Sequence, residues 1–215
     1  MTAVILANGQ FPGTEAATRH LRQADMIICC DGAAEKLIAW GREPDLIVGD
    51  MDSLPSGIRR GREDRIIHDA DQETNDLTKA FKAALRYSPD VIHILGATGR
   101  RDDHTMANVS LLADYAECLE GSACSIDMIT DYGTFKAFCA EEASFECPAG
   151  VEISIFAFDN SLRISCEGLL YQTDRVTFDT LWKATLNTST ADRFSLHLNH
   201  KAKVIVFICN PGEGN

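Results

Sequence analysis

Five short, mostly apolar runs, each closed by Gly, Asp or Asn, constrain this chain more than any other feature. They are Ala3–Ala7 before Asn8-Gly9, Met26–Cys30 before Asp31-Gly32, Leu46–Val48 before Gly49-Asp50, Arg65–His68 before Asp69, and Val91–Leu95 before Gly96. Runs this short and this apolar are strands buried on both faces. Helical patterns fall between them: one from after Gly13 to about Ala24, one over 33–40 closed by Gly41, and one over 74–87. The third buries Leu77, Ala80, Phe81, Ala84 and Leu85 at helical spacing. A further helix carries Met106, Val109, Leu112 and Ala113 inward before a sixth strand at 125–130. Strand–helix alternation predicts a parallel sheet covered by helices, with ligands outside the carboxyl ends of the strands. The polar clusters all fall at that rim.

Beyond about Asp131 the texture changes. Residues 151–155, 162–166, 194–198 and 203–208 read as strands separated by turns, with no long helical pattern. The expected architecture is therefore an N-terminal α/β nucleotide-binding domain over 1–132 and a C-terminal antiparallel β-sandwich over 133–215.

Composition narrows the partners. The 215 residues are 45% hydrophobic and 24% charged, as in an ordinary globular protein. A net charge of −12 and the lack of a basic stripe argue against nucleic acid, and favour metal ions or a cationic small molecule. No apolar run is long enough to span a membrane, and the first residues read as a strand and not as a signal peptide. The eight cysteines form no C-x-x-C pair, which predicts free thiols in a cytoplasmic protein.

Three stretches carry chemistry. In Gly49-Asp50-Met51-Asp52-Ser53, strand geometry continued through Asp52 would point both carboxylates one way, and Mg²⁺ suits such a place. Taken alone this reads first as an acidic turn. Its position at the rim favours a metal site. In Asp71-Gln72-Glu73-Thr74-Asn75-Asp76, Thr74 or Asn75 caps a helix, Asp76 is a candidate third metal ligand, and Gln72 a candidate substrate contact. In Gly96-Ala97-Thr98-Gly99-Arg100-Arg101-Asp102-Asp103-His104, glycines permit close approach of a phosphate, an arginine can fork onto it, and a helix begins. His104 reads as a structural hydrogen-bonder. The P-loop, dinucleotide, Gly-x-Ser-x-Gly and His-Glu-x-x-His motifs are absent.

These stretches, together with Asp31-Gly32-Ala33-Ala34, Gly41 to Asp45, Lys79-Ala80 and Asn108, resemble the thiamine pyrophosphokinases in order and spacing. Gly168-Leu169-Leu170-Tyr171 is similar to a segment of that family's second domain; Trp182 reads as core in preference to a stacking residue. The resemblance implies a homodimer that transfers pyrophosphate from ATP to thiamine and releases AMP. It implies Mg²⁺ on Asp50, Asp52 and Asp76. It implies a nucleotide site at Asn8, Asp31, Gly32, Gly96, Gly99, Arg101, Asp103 and His104. Thiamine would meet Gln72 and, in the second domain, Thr185 and Asn187. The segment Ala184-Thr185-Leu186-Asn187 departs from the family's Ser-Thr-Ser-Asn, and Asn75 and Arg100 replace its usual Thr and Gly. On that resemblance an aspartate of the cluster would accept the alcohol's proton, with Asp31, Asp50, Asp52, Asp76 and Asp103 all open. The competing readings are a pyrophosphokinase for another alcohol such as a hydroxymethylpterin, a non-catalytic nucleotide- or thiamine-binding module, and a Mg²⁺-dependent phosphohydrolase.

Overall fold

The computed structural model describes residues 1–71 and 73–211. Its contacts divide them into two units, one of Met1–Val109 with Ser122–Asp131, the other of Ser110–Gly121 with the chain from Tyr132 onward. The first unit holds strands β1 (Thr2–Leu6), β2 (Met26–Cys30), β3 (Leu46–Gly49), β4 (Ile66–His68), β5 (Val91–Leu95) and β6 (Ser125–Ile129). All pair in parallel, in the order β6-β5-β1-β2-β3-β4.

The continuous apolar runs follow from burial on both faces. On one face Val4, Leu6, Ile27, Cys29 and Ile47 pack against α1 (Glu15–Gln23) and α2 (Ala33–Trp40) through Ala17, Leu21, Ala33, Ala34 and Leu37. On β1 to β3 lies also α4 (Asp76–Leu85), which buries Leu77, Ala80, Phe81 and Ala84. Each fully buried Leu, Ile or Val contributes about 1.5–3 kcal/mol. Caps set the helix ends. The Thr14 hydroxyl accepts from the Ala17 N–H, the Asn75 side chain accepts from the Thr78 N–H, and Gly41 closes α2 at φ +101°. A short helix α3 (Ser56–Arg59) follows the Asp50–Ser53 turn. Helix α5 (Asp102–Cys118) buries Leu112, Ala113 and Tyr115, but Met106, expected inward, is 65% exposed. Apolar packing begins only in its second half, because residues of its first turns line an open cleft.

The second unit is antiparallel throughout, with β7 (Gly133–Glu146), β8 (Glu152–Ala157), β9 (Ile164–Glu167), β10 (Asn187–Thr188) and β11 (Arg193–Cys209). Residues 194–198 and 203–208, expected as two strands, belong to the single strand β11. The intervening residues make an irregularity in its pairing with β7, between His197 and Ala202, and not a turn. Strand β7 carries no alternating apolar signal, being mostly half-exposed, and its partner β11 defines it. Phe145, Ile153, Ile155, Ile164, Phe194, Leu196, Val204 and Val206 form the core. All eight cysteines are free, and burial raises the Cys29 and Cys30 thiols far above the usual range. Among the described residues no helix is long and apolar enough to cross a membrane.

Candidate active site

Strand β1 lies between β2 and β5, so the winding of the sheet reverses there. Doubly wound sheets bind ligands at that crevice. The loops after β1 and β5 are laced together by the Gly9 N–H on the Gly96 carbonyl (2.7 Å) and the Gln10 N–H on the Thr98 carbonyl (2.8 Å). A Cβ on Gly9 would stand 2.3 Å from the Gly96 oxygen, so only glycine permits this approach. Lys36 donates to the Asn8 (3.1 Å) and Gly9 (2.6 Å) carbonyls, and burial followed by the nearby Arg100 lowers its pKa. The Asn108 amide donates to the Ala97 carbonyl at 2.8 Å. These loops wall a cleft of about 650 Å³ with Asn8, Gly9, Asp76, Arg100, Arg101 and His104 among its lining residues. That volume is in the range of small-molecule sites.

Beside the cleft, Asp31 after β2, Asp50 after β3 and Asp76 at the start of α4 place carboxylate oxygens within 4.8 Å of one another. Asp31 is 3% exposed and takes a left-handed backbone at φ +42°. Its Oδ2 accepts from the Ser53 N–H (2.9 Å) and hydroxyl (2.7 Å), while its buried Oδ1 has no partner among the described residues. A buried carboxylate oxygen without a donor is costly unless a cation completes it. Burial raises the pKa of Asp76; Lys79 opposes this, and Asp50 and Asp31 add to it. The oxygens of an octahedral Mg²⁺ lie about 3–4 Å apart, close to the spread of this group. All-oxygen, anionic donors suit that ion.

The arrangement differs from two carboxylates on one strand. Strand β3 ends at Gly49, and Met51 turns to φ +66°, so strand geometry does not reach Asp52. The Asp52 side chain is exposed and outside the group of three; its backbone N–H donates to Asp50 Oδ1 at 3.1 Å. Gly32 lies close to Asn8 and Ser53, Gly96 takes φ +66° and Gly99 φ +82°. Arg101 and Asp103 form a two-bond ion pair (3.1 and 2.6 Å) with both side chains exposed, and the arginine lowers the Asp103 pKa to about 2. Gln72 lies outside the described residues.

In the second unit, Asn187 is buried. Its Oδ1 accepts from the Tyr171 and Thr188 N–H groups (3.0 and 2.9 Å), and its Nδ2 donates to the Tyr171 carbonyl (2.7 Å). It thereby joins residues 168–171 to β10. The Thr185 hydroxyl donates to the Trp182 carbonyl at 2.7 Å. Trp182, read as core, is 71% exposed, standing in a turn where Leu181 and Leu186 are exposed as well.

Sequence reasoning assigned no role to Lys79, Ser53 or Gly49. Lys79 was visible as a cation three residues after Asp76 on a helix, a spacing that brings side chains together. Its ammonium lies 3.5 Å from Asp76 Oδ1, with the side chain 3% exposed. Ser53 and Gly49 act through approaches that only the folded loops create.

Two family descriptions match the chain: thiamin pyrophosphokinase catalytic domain over residues 17–120, and thiamin pyrophosphokinase substrate-binding domain over 133–207. The chain is 31% identical to thiamine pyrophosphokinase of Bacillus subtilis over 115 residues, 52% of this chain and 54% of that one. It is 28% identical to thiamine pyrophosphokinase 1 of Oryza sativa over 157 residues, 59% of this chain and 58% of that one. The aligned segments thus span little more than half of these relatives' length. In fold it is similar to the Bacillus subtilis thiamine pyrophosphokinase structure (TM-score 0.79, 22% identity, covering 98% of this chain and 100% of that chain). It is similar also to the Candida albicans thiamin pyrophosphokinase structure (TM-score 0.81, 17% identity, covering 97% and 88%). The two matched regions follow one another in the order of catalytic and substrate-binding domains and together take in most of the sequence. The chain belongs to the thiamin pyrophosphokinase family.

Proposed function

We propose that the chain transfers the pyrophosphoryl group of ATP to the hydroxyethyl oxygen of thiamine, giving thiamine diphosphate and AMP. The observation that carries this reading is the buried Asp31 Oδ1, without a partner among the described residues, within a group of three carboxylates beside a nucleotide-sized cleft. Asp31, Asp50 and Asp76 would hold Mg²⁺, with Asp52 orienting Asp50 through its backbone N–H. When bound, the ion would offset negative charge on the phosphates.

The chain's own residues do the rest by positioning and charge. The glycine-rich loops after β1 and β5 bring backbone close to the nucleotide, and Arg101 forks onto phosphate oxygens. The thiamine hydroxyl forms a bond to the β-phosphorus as the bond from that phosphorus to the α-phosphate oxygen breaks. The electron pair departs on AMP, and a carboxylate at the rim takes the hydroxyl proton. The acidic rim suits a cationic thiazolium ring. Gln72 and Thr185 are the proposed thiamine contacts, and Asn187 supports the segment that carries Thr185 through its bonds to Tyr171. We take the enzyme to be cytoplasmic and homodimeric, with a site shared between subunits. Exposed Leu170, Tyr171, Trp182 and Leu186 on neighbouring segments of the second unit support the dimer.

The test is AMP release from ATP and Mg²⁺ with thiamine added or withheld. No thiamine-dependent AMP sinks the reading, and a panel including hydroxymethylpterin separates acceptors.

A further inference from the structure

Lys79 is a buried cation beside three carboxylates. Its ammonium donates to the Asp69 carbonyl at 2.8 Å and stands 3.5 Å from Asp76 Oδ1. The Asp69 N–H in turn donates to the Gly49 carbonyl at 2.9 Å. The lysine therefore closes a ring that runs from β3, through the end of β4, to the first turn of α4. With its side chain 3% exposed, its charge is little screened by water or salt.

Three carboxylates within 4.8 Å repel one another when no ion lies between them. A fixed ammonium at their edge lessens that repulsion. The same charge repels an arriving divalent cation. Both effects weaken the affinity of the bare site, one by relieving the metal-free state and the other by opposing the metal-bound state.

Resting on the metal reading above, we propose that Lys79 is a positioning residue acting through Asp76. It keeps the carboxylates assembled before the ion arrives, and it holds the affinity of the bare site down so that tight metal binding waits for the nucleotide phosphates.

The test is calorimetric titration of the full chain with Mn²⁺ without nucleotide, alongside melting curves with and without the ion. Lys79→Met removes the charge at similar volume, Lys79→Gln keeps a hydrogen-bond donor without the charge, and Lys79→Arg keeps the charge. The neutral variants should melt lower than wild type in metal-free buffer, recover most of the loss in Mn²⁺, and bind the ion at least about fivefold more tightly. Lys79→Arg should retain wild-type affinity. A loss of melting temperature that is the same with and without Mn²⁺, with unchanged or weaker affinity, overturns the proposal and makes Lys79 a plain tether. The glutamine variant decides the matter if the methionine variant does not fold. If wild type itself binds no Mn²⁺, the metal reading falls and this proposal with it, an outcome recognised without any variant.

Discussion

The Cα of Gly49 packs against the carboxylate of Asp76: a Cβ built on Gly49 would lie 3.1 Å from both Cγ and Oδ1 of Asp76 and 3.1 Å from Cβ of Asp31. The end of β3 therefore sets how far α4 can approach, and with it the separation of two carboxylates. Gly49→Ala must push Asp76 or Asp31 aside by a few tenths of an ångström in a packed environment. It should cost about 1–3 kcal/mol of stability and lower thiamine-dependent AMP release more than the loss of folded protein explains. Urea unfolding together with the AMP assay checks both.

Asp76 makes the metal-free protein sensitive to pH. A carboxyl whose folded pKa is raised holds its proton more tightly in the folded chain. Its contribution to stability is full below the ordinary value of 3.8 and is lost as pH rises through the higher folded value. Compared with Asp76→Asn, metal-free wild type should lose melting temperature as pH rises from that value. Saturating Mg²⁺ should reverse the sign of the difference. Parallel pH series of melting curves, with and without the ion, would show it; coincident profiles in metal-free buffer would contradict it.

Arg101 is paired with Asp103 in the open, and an exposed pair is worth little to the fold. Arg101→Ala should leave the melting temperature unchanged. It should raise the KM for ATP by about 10–100-fold, the loss of a charge-assisted contact, with a smaller effect on the KM for thiamine. Steady-state kinetics in both substrates tests this, and equal effects on the two would remove Arg101 from the phosphate site.

Asn187 and Thr185 should part company when mutated. Asn187 spends its side-chain oxygen and nitrogen on Tyr171 and Thr188 inside the second unit, so Asn187→Ala should cost about 1–3 kcal/mol by urea unfolding. Thr185 makes one hydroxyl contact at a half-exposed turn. Thr185→Ala should leave unfolding nearly unchanged and raise the KM for thiamine. A Thr185 variant that unfolds early but keeps its KM would reverse the assignment.

The parallel strands, their helices and the rim were legible in the chain because both faces of that sheet are buried. Val4, Ile27, Ile47 and Ile92 therefore stand in apolar runs that need no partner to be recognised. The Gly41 stop and the Asn75 cap were legible for the same local reason, since a backbone conformation or a nearby N–H demands them. The long strand β7 was not, because its residues are mostly half-exposed and its identity comes from pairing with β11. Nor was the membership of the carboxylate group. Asp50 and Asp52 looked like a pair on one strand through their spacing, but Met51 takes a left-handed turn between them and the fold brings Asp31, from another strand end, to Asp50 and Asp76. Local sequence determines which residues stand at the rim. Only the packing of β2, β3 and α4 decides which carboxylates meet, because charge repulsion is overcome by contacts such as Gly49 on Asp76 and Lys79 on Asp69 that join residues distant in the chain.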